Sequence, residues 1–135
     1  MINLIEEIHE KFGLHKIIET KNAEEMIEFL KFRYSMIAEE LGEMKDALEA
    51  EDPEEVVDAL IDILVFTLGT LDLFKVDADL AFKSVMEANL QKEPGIKEGR
   101  PNPYGFPDMI KPEGWQAPNH KDNHGIIGEI YESKN

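Results

Sequence analysis

The sequence predicts an all-α protein: a four-helix bundle followed by an irregular C-terminal extension rich in proline and glycine. Three observations predict it. Apolar residues recur at helical spacing through most of the first 92 positions. Helix punctuation falls between the periodic stretches, at Gly13, Asn22, Asp52-Pro53 and Asp77. Every proline except Pro53 lies beyond Glu93, where the periodicity stops.

Residues 2–12 read as a short amphipathic helix, with Leu4, Ile5, Ile8 and Phe12 on its apolar side and Gly13 as its stop. Residues 14–21 read as a linker. Asn22 suits the N-cap of a long second helix running to about Ala50. Asp52 caps a third, Pro53 fits its first position, and Glu54 and Glu55 complement the positive helix end. That helix runs to about Phe74, and a fourth starts at Asp77 or Asp79 and ends near Lys92. Residues 1–92 are thus expected to form the helical bundle, and residues 93–135 an extension that wraps it as loops with a short hairpin, all in one domain.

Composition narrows the function. The 135 residues carry 29 acidic and 14 basic side chains, a formal net charge of -15. Such a surface repels nucleic-acid polymers and anionic membranes. It still admits a small phosphate substrate, because a bound metal reverses the local sign. The absence of cysteine rules out disulfides, zinc–thiolate sites and thiol catalysis. The N-terminus mixes acidic with apolar residues and lacks the basic start of a signal peptide. The longest uncharged apolar run, residues 63–71, is too short to span a bilayer. A soluble, cytoplasmic protein is expected.

Two acidic clusters carry the chemistry: Glu39-Glu40-x-x-Glu43 and, after an eleven-residue spacer, Glu55-x-x-Asp58 with Asp62 following. On the second helix Leu30, Tyr34, Ile37, Leu41, Met44 and Leu48 form one apolar stripe. Glu39, Glu40 and Glu43 fall instead among Phe29, Phe32, Met36 and Ala47, a second apolar face. The solvated face is elsewhere, at Glu28, Lys31, Ser35, Lys45, Asp46 and Glu49. Two apolar faces on one helix exceed what a bundle of this length covers alone, so a homodimer or homotetramer is expected.

The third helix is apolar nearly all round, which predicts burial, and Glu55, Asp58 and Asp62 share an arc of about 60° on it. Facing acidic stripes on two packed helices make a carboxylate cage, and oxygen-only donors suit Mg2+ or Mn2+. Competing explanations exist: a solvated helix face uses the same residue types, and Glu55 also fits a capping glutamate paired with Asp52. A ferritin-like di-iron cage needs two Glu-x-x-His pairs, and the chain has only Glu6-x-x-His9.

With these residues the chain resembles the MazG-like all-α nucleoside triphosphate pyrophosphohydrolase superfamily, whose signature is EExxE, a spacer, then ExxD. The nearer resemblance is to phage-type members. It runs through Ile8-His9-Glu10-Lys11-Phe12-Gly13, Arg33-x-x-Met36-x-x-Glu39, Asp58-Ala59-Leu60-Ile61-Asp62-Ile63-Leu64, Asn89-Leu90-Gln91-Lys92 and Lys111-Pro112-Glu113-Gly114-Trp115-x-x-Pro118. Glu87 and Ala88 depart from it, standing where related chains often carry a basic residue and a serine.

The resemblance implies a four-helix core completed by a partner subunit. It also implies Mg2+-dependent cleavage of a nucleoside triphosphate, usually a deoxy one, to the monophosphate and pyrophosphate. Glu40, Glu43, Glu55 and Asp58 are then the expected metal ligands, Asp62 a further or supporting one, and Glu39 or one of the ligand carboxylates the group that orients or deprotonates water. Asn89 and Lys92 are expected on the triphosphate, together with Arg33, while His9 and Trp115 line the base pocket. A dUTPase or a phosphoribosyl-ATP pyrophosphohydrolase shares the fold, and a non-enzymatic helical interaction module is the alternative of another class.

Overall fold

The computed structural model describes residues 1–100 and 102–132, and it is mostly helical. Helix α1, Ile2–Lys11, ends at Phe12 and turns through Gly13 at φ 65°. Helix α2, Leu14–Glu19, occupies the stretch expected to be a linker. Its six residues are too few for periodicity to register, yet Leu14, Ile17 and Ile18 repeat at helical spacing, and Ile18 is buried.

Helix α3, Ala23–Glu49, starts from Asn22 with a full capping box. The Glu25 N–H donates to Asn22 Oδ1 and the Asn22 N–H to Glu25 Oε2, both at 2.9 Å. Helix α4, Pro53–Leu73, is capped by Asp52, which accepts from the N–H groups of Glu54 and Glu55. The two helices join through Glu51 in the left-handed region, φ 55°, and pack as an antiparallel hairpin. Helix α5 covers Ala78–Leu90. Strands β1, Glu93–Gly95, and β2, Asp108–Ile110, form the expected short hairpin, with Glu93 opposite Ile110.

Helix α6, Gly125–Glu132, lies in the extension expected to hold loops and a short hairpin. Gly125 and Gly128 lower its intrinsic propensity, so tertiary contact makes it. Its Ile130 is buried and its first turn is fixed by the Ile126 N–H donating to Phe74 O at 2.7 Å. A Cβ at Gly125 would strike that same carbonyl.

Contacts gather the chain into two units. The first is Met1–Ala78 with the chain from Asn123 onward; the second is Asp79–Asp122. The first unit holds the core, Ile18, Met26, Leu73, Phe74 and Ile130, with the Phe29 ring stacked on Phe74. In the second, the Trp115 indole N–H donates to Ala88 O at 2.7 Å, and Ser84 exchanges hydrogen bonds with the backbone of Asn119.

One expectation is corrected. Helix α4 is apolar all round but not buried all round: Val57 is 60% exposed, Leu60 47%, Ile61 51% and Val65 41%. Among the described residues its main partners are α3, α1 and α2, and they cover only part of its girth. The core therefore sits at the Phe74 end of the hairpin, away from the acidic clusters. No helix of the described residues is long and apolar enough to cross a membrane.

Candidate functional site

The acids meet because the hairpin folds α4 back along α3. Glu40 and Asp62 lie equally far from Glu51 along the chain, so the antiparallel pairing sets them level. Glu40 is half-buried, and its Oε2 is sealed from solvent with no hydrogen-bond partner among the described residues. Its carboxyl is pushed above the ordinary 4.5, first by desolvation, then by the neighbouring Glu43, Asp62 and Glu39. Glu43 and Glu55 line one open pocket at the turn, with Asp46 and Asp52 beside them.

Glu39, Glu43, Glu55 and Asp58 are exposed and Asp62 is half-buried, so a single chain provides the expected burial in part at Asp62 and not at Asp58. The cap also separates two readings of Glu55. The Asp52 N–H donates to Ala47 O at 3.0 Å rather than to the Glu55 side chain, which leaves that carboxylate outside any capping box.

A sealed acceptor pressed by three further carboxylates is a donor set that a hard divalent cation fits. It offers oxygen only, with net negative charge and one lone pair already desolvated. The set is not drawn tight: among the described residues, the histidine and carboxylate ligand atoms that close to within 4.8 Å of one another belong to His9, His15 and Asp72.

That second cluster was not anticipated, and it gives His9, expected at the base pocket, a partner in Asp72. His9 is 5% exposed, and its Nδ1 lies 2.5 Å from Asp72 Oδ2, the same oxygen that His15 Nε2 meets at 2.9 Å. Asp72 stands ten residues beyond Asp62 on α4, about 15 Å along the axis. The sequence signal was faint: Asp72 is a lone acid in the apolar last turns of α4, and only folding brings it against histidines more than fifty positions away.

Arg33 turns across the hairpin. Its Nε donates to Thr70 Oγ1 at 2.9 Å and its Nη2 to Phe66 O at 3.1 Å, while the guanidinium packs on the Phe29 and Phe66 rings. Partial burial lowers its pKa, through desolvation alone. Arg33 also borders, with Phe29, Leu14 and Ile18, a largely apolar cavity of about 580 Å³.

In the second unit, Lys92 and Lys111 both hold their ammonium groups over the Trp115 ring, at 5.1 and 4.8 Å from its centroid. Trp115 pins the segment after β2 to the last turn of α5, where its indole N–H satisfies a carbonyl that the helix end leaves free. Asn89 is half-buried in that same turn, and its carbonyl accepts from the Lys92 N–H at 3.0 Å.

Comparison with known proteins gives one family. A family model described as phosphoribosyl-ATP pyrophosphohydrolase matches residues 5–89, more than half of the chain and all of both acidic clusters. No curated protein matches it.

Proposed function

Because the chain belongs to the phosphoribosyl-ATP pyrophosphohydrolase family, we propose that it is a divalent-metal-dependent pyrophosphohydrolase that cleaves a nucleoside or deoxynucleoside triphosphate between its α- and β-phosphates. The products are the monophosphate and pyrophosphate. The observation that carries this reading is Glu40, whose sealed, unpartnered oxygen lies among Glu43, Asp62 and Glu39. Unrelieved, that arrangement costs stability; a cation relieves it.

Glu40, Glu43, Glu55 and Asp58, supported by Asp62, would hold Mg2+ or Mn2+. Bound there, the cation supplies the positive charge that offsets the phosphate oxygens as the anhydride breaks. Glu39, exposed beside Glu40, accepts a proton from the attacking water. For Asn89, Lys92 and Trp115, all in the second unit, the support is the sequence resemblance, which assigns the first two to phosphate and the third to the base. Arg33 enters as a positioning residue, since two of its nitrogens are committed to α4. The exposed ridge of Val57, Ile61 and Val65 beside Asp58 and Asp62 is covered by a second copy of the chain in this reading.

The substrate has a specific second candidate. The matched family is described by phosphoribosyl-ATP, which presents the same triphosphate on a larger base and sugar. Pyrophosphate release from a panel of deoxynucleoside triphosphates and from phosphoribosyl-ATP, with and without Mg2+, tests both. Equal monophosphate and pyrophosphate from a deoxynucleoside triphosphate supports the proposal. Turnover of phosphoribosyl-ATP alone moves the assignment to that substrate. Diphosphate with orthophosphate, or no turnover of any substrate, overturns the pyrophosphohydrolase reading.

A further inference from the structure

We propose that His9, His15 and Asp72 form a separate binding site for a zinc-type transition-metal cation, one that ties α1 and α2 to the last turn of α4. Three elements each deliver one donor: His9 Nδ1 from α1, His15 Nε2 from α2 and Asp72 Oδ2 from α4. The donors lie within 4.8 Å of one another. Two imidazole nitrogens and one carboxylate oxygen suit Zn2+, Ni2+ or Co2+, whereas the all-oxygen cluster around Glu40 suits Mg2+. The separation of about 15 Å between Asp62 and Asp72 along α4 keeps the two sites distinct.

Four further features favour a cation at this place. His9 lies in the last turn of α1 and Asp72 in that of α4, so two helix C-termini, the negative ends of their dipoles, converge on the cluster. The Nε2 edge of His9 lies against Gly69, where an added Cβ would come within 3.4 Å, so the ring is held with Nδ1 toward Asp72. A solvent-open pocket of about 340 Å³ adjoins the three residues and supplies water as a fourth ligand. Glu6 and Glu10 line that pocket too, against a single cation, Lys16.

The present contacts, 2.5 and 2.9 Å, are those of two rings sharing one carboxylate oxygen. Tetrahedral zinc would set its donors about 3.3 Å apart, so entry opens each contact by roughly 0.4–0.8 Å. The proton balance is simple. Without metal each facing nitrogen donates its proton to Asp72; on metal entry that proton leaves to solvent and one returns to the far nitrogen, His9 Nε2 or His15 Nδ1, so each ring stays neutral and its facing lone pair is free.

Ring nitrogen NMR spectra of the full chain during titration with Zn2+ alone test this without any reading of activity. The His9 and His15 resonances should shift together and saturate at one equivalent, with His120 and His124 as internal references. His15→Gln should weaken the His9 response at least tenfold; the substitution is mild for folding because the His15 side chain is 36% exposed. Asp72→Asn should do the same. If His9 and His15 hold their positions at ten equivalents of Zn2+, or only one of them moves, the cluster is a hydrogen-bonded strut and the proposal fails. Loss of pyrophosphohydrolase activity by Glu43→Gln leaves this outcome untouched.

Discussion

Glu40 of α3 and Asp62 of α4 stand level across the hairpin, and the Asp62 charge helps hold the Glu40 carboxyl above its ordinary value. The folded state therefore binds a proton at Glu40 more readily than the unfolded chain. The stability this gives is complete below the unfolded value of 4.5 and is lost as pH rises through the higher folded value. At neutral pH Glu40 weakens the metal-free fold.

Glu40→Gln should accordingly raise the melting temperature in EDTA, by about 2–4 °C at pH 7 in a domain of this size. The gap over the unsubstituted protein should shrink as pH falls toward 4.5. Melting curves across pH check this, and a gap independent of pH would dissociate Glu40 from the effect.

The carboxylates should separate by role when assayed for turnover. Glu43→Gln, Glu55→Gln and Asp58→Asn are expected to lower activity by at least 100-fold, since each removes charge from the proposed cation site. Glu49→Gln, exposed on the same helix and paired only loosely with Lys45 at 3.8 Å, should change activity less than twofold. Millimolar Mg2+ should raise the melting temperature of the unsubstituted protein and not that of Glu43→Gln. Equal behaviour of Glu43→Gln and Glu49→Gln would defeat the assignment.

Gly69 is the close-approach point of the hairpin. A Cβ there would lie 2.6 Å from Arg33 Nη2, the nitrogen that donates to Phe66 O. Gly69→Ala should cost about 1–3 kcal/mol, the range of a small overpacking in a packed interior. Chemical denaturation reads it directly, and an unchanged midpoint would mean that Arg33 moves aside freely.

The helices legible in the sequence were those whose caps and periodicity are local. Asn22, Asp52 and Pro53 each mark a boundary that the structure keeps. The acidic signature was legible because its members sit at helical spacing on two helices joined by a short turn. What was missed depends on distant contact. Helix α2 is shorter than two turns, α6 is made by Phe74 and the core, and Asp72 acquires its meaning only from His9 and His15. The expected burial of α4 failed for a related reason: hydrophobicity on every side says that a helix prefers to be covered, not that its own chain can cover it.

That uncovered face leads to the last prediction. Val57, Ile61 and Val65 repeat every four residues and form one ridge along α4, flanking Asp58 and Asp62. Leaving three branched apolar residues about half exposed beside the proposed cation site is costly, and a second copy of the chain would remove the cost while shielding the acids from bulk water. Light scattering of active protein should therefore give a mass that is a multiple of 15.4 kDa, two or four. Ile61→Glu should shift the distribution to the single-chain mass and lower turnover together, because the ridge and the proposed cation site would share one covered surface. The variant should keep its helical circular dichroism, since Ile61 is 51% exposed within the chain. A fully active species at the single-chain mass would show that the ridge serves some other contact.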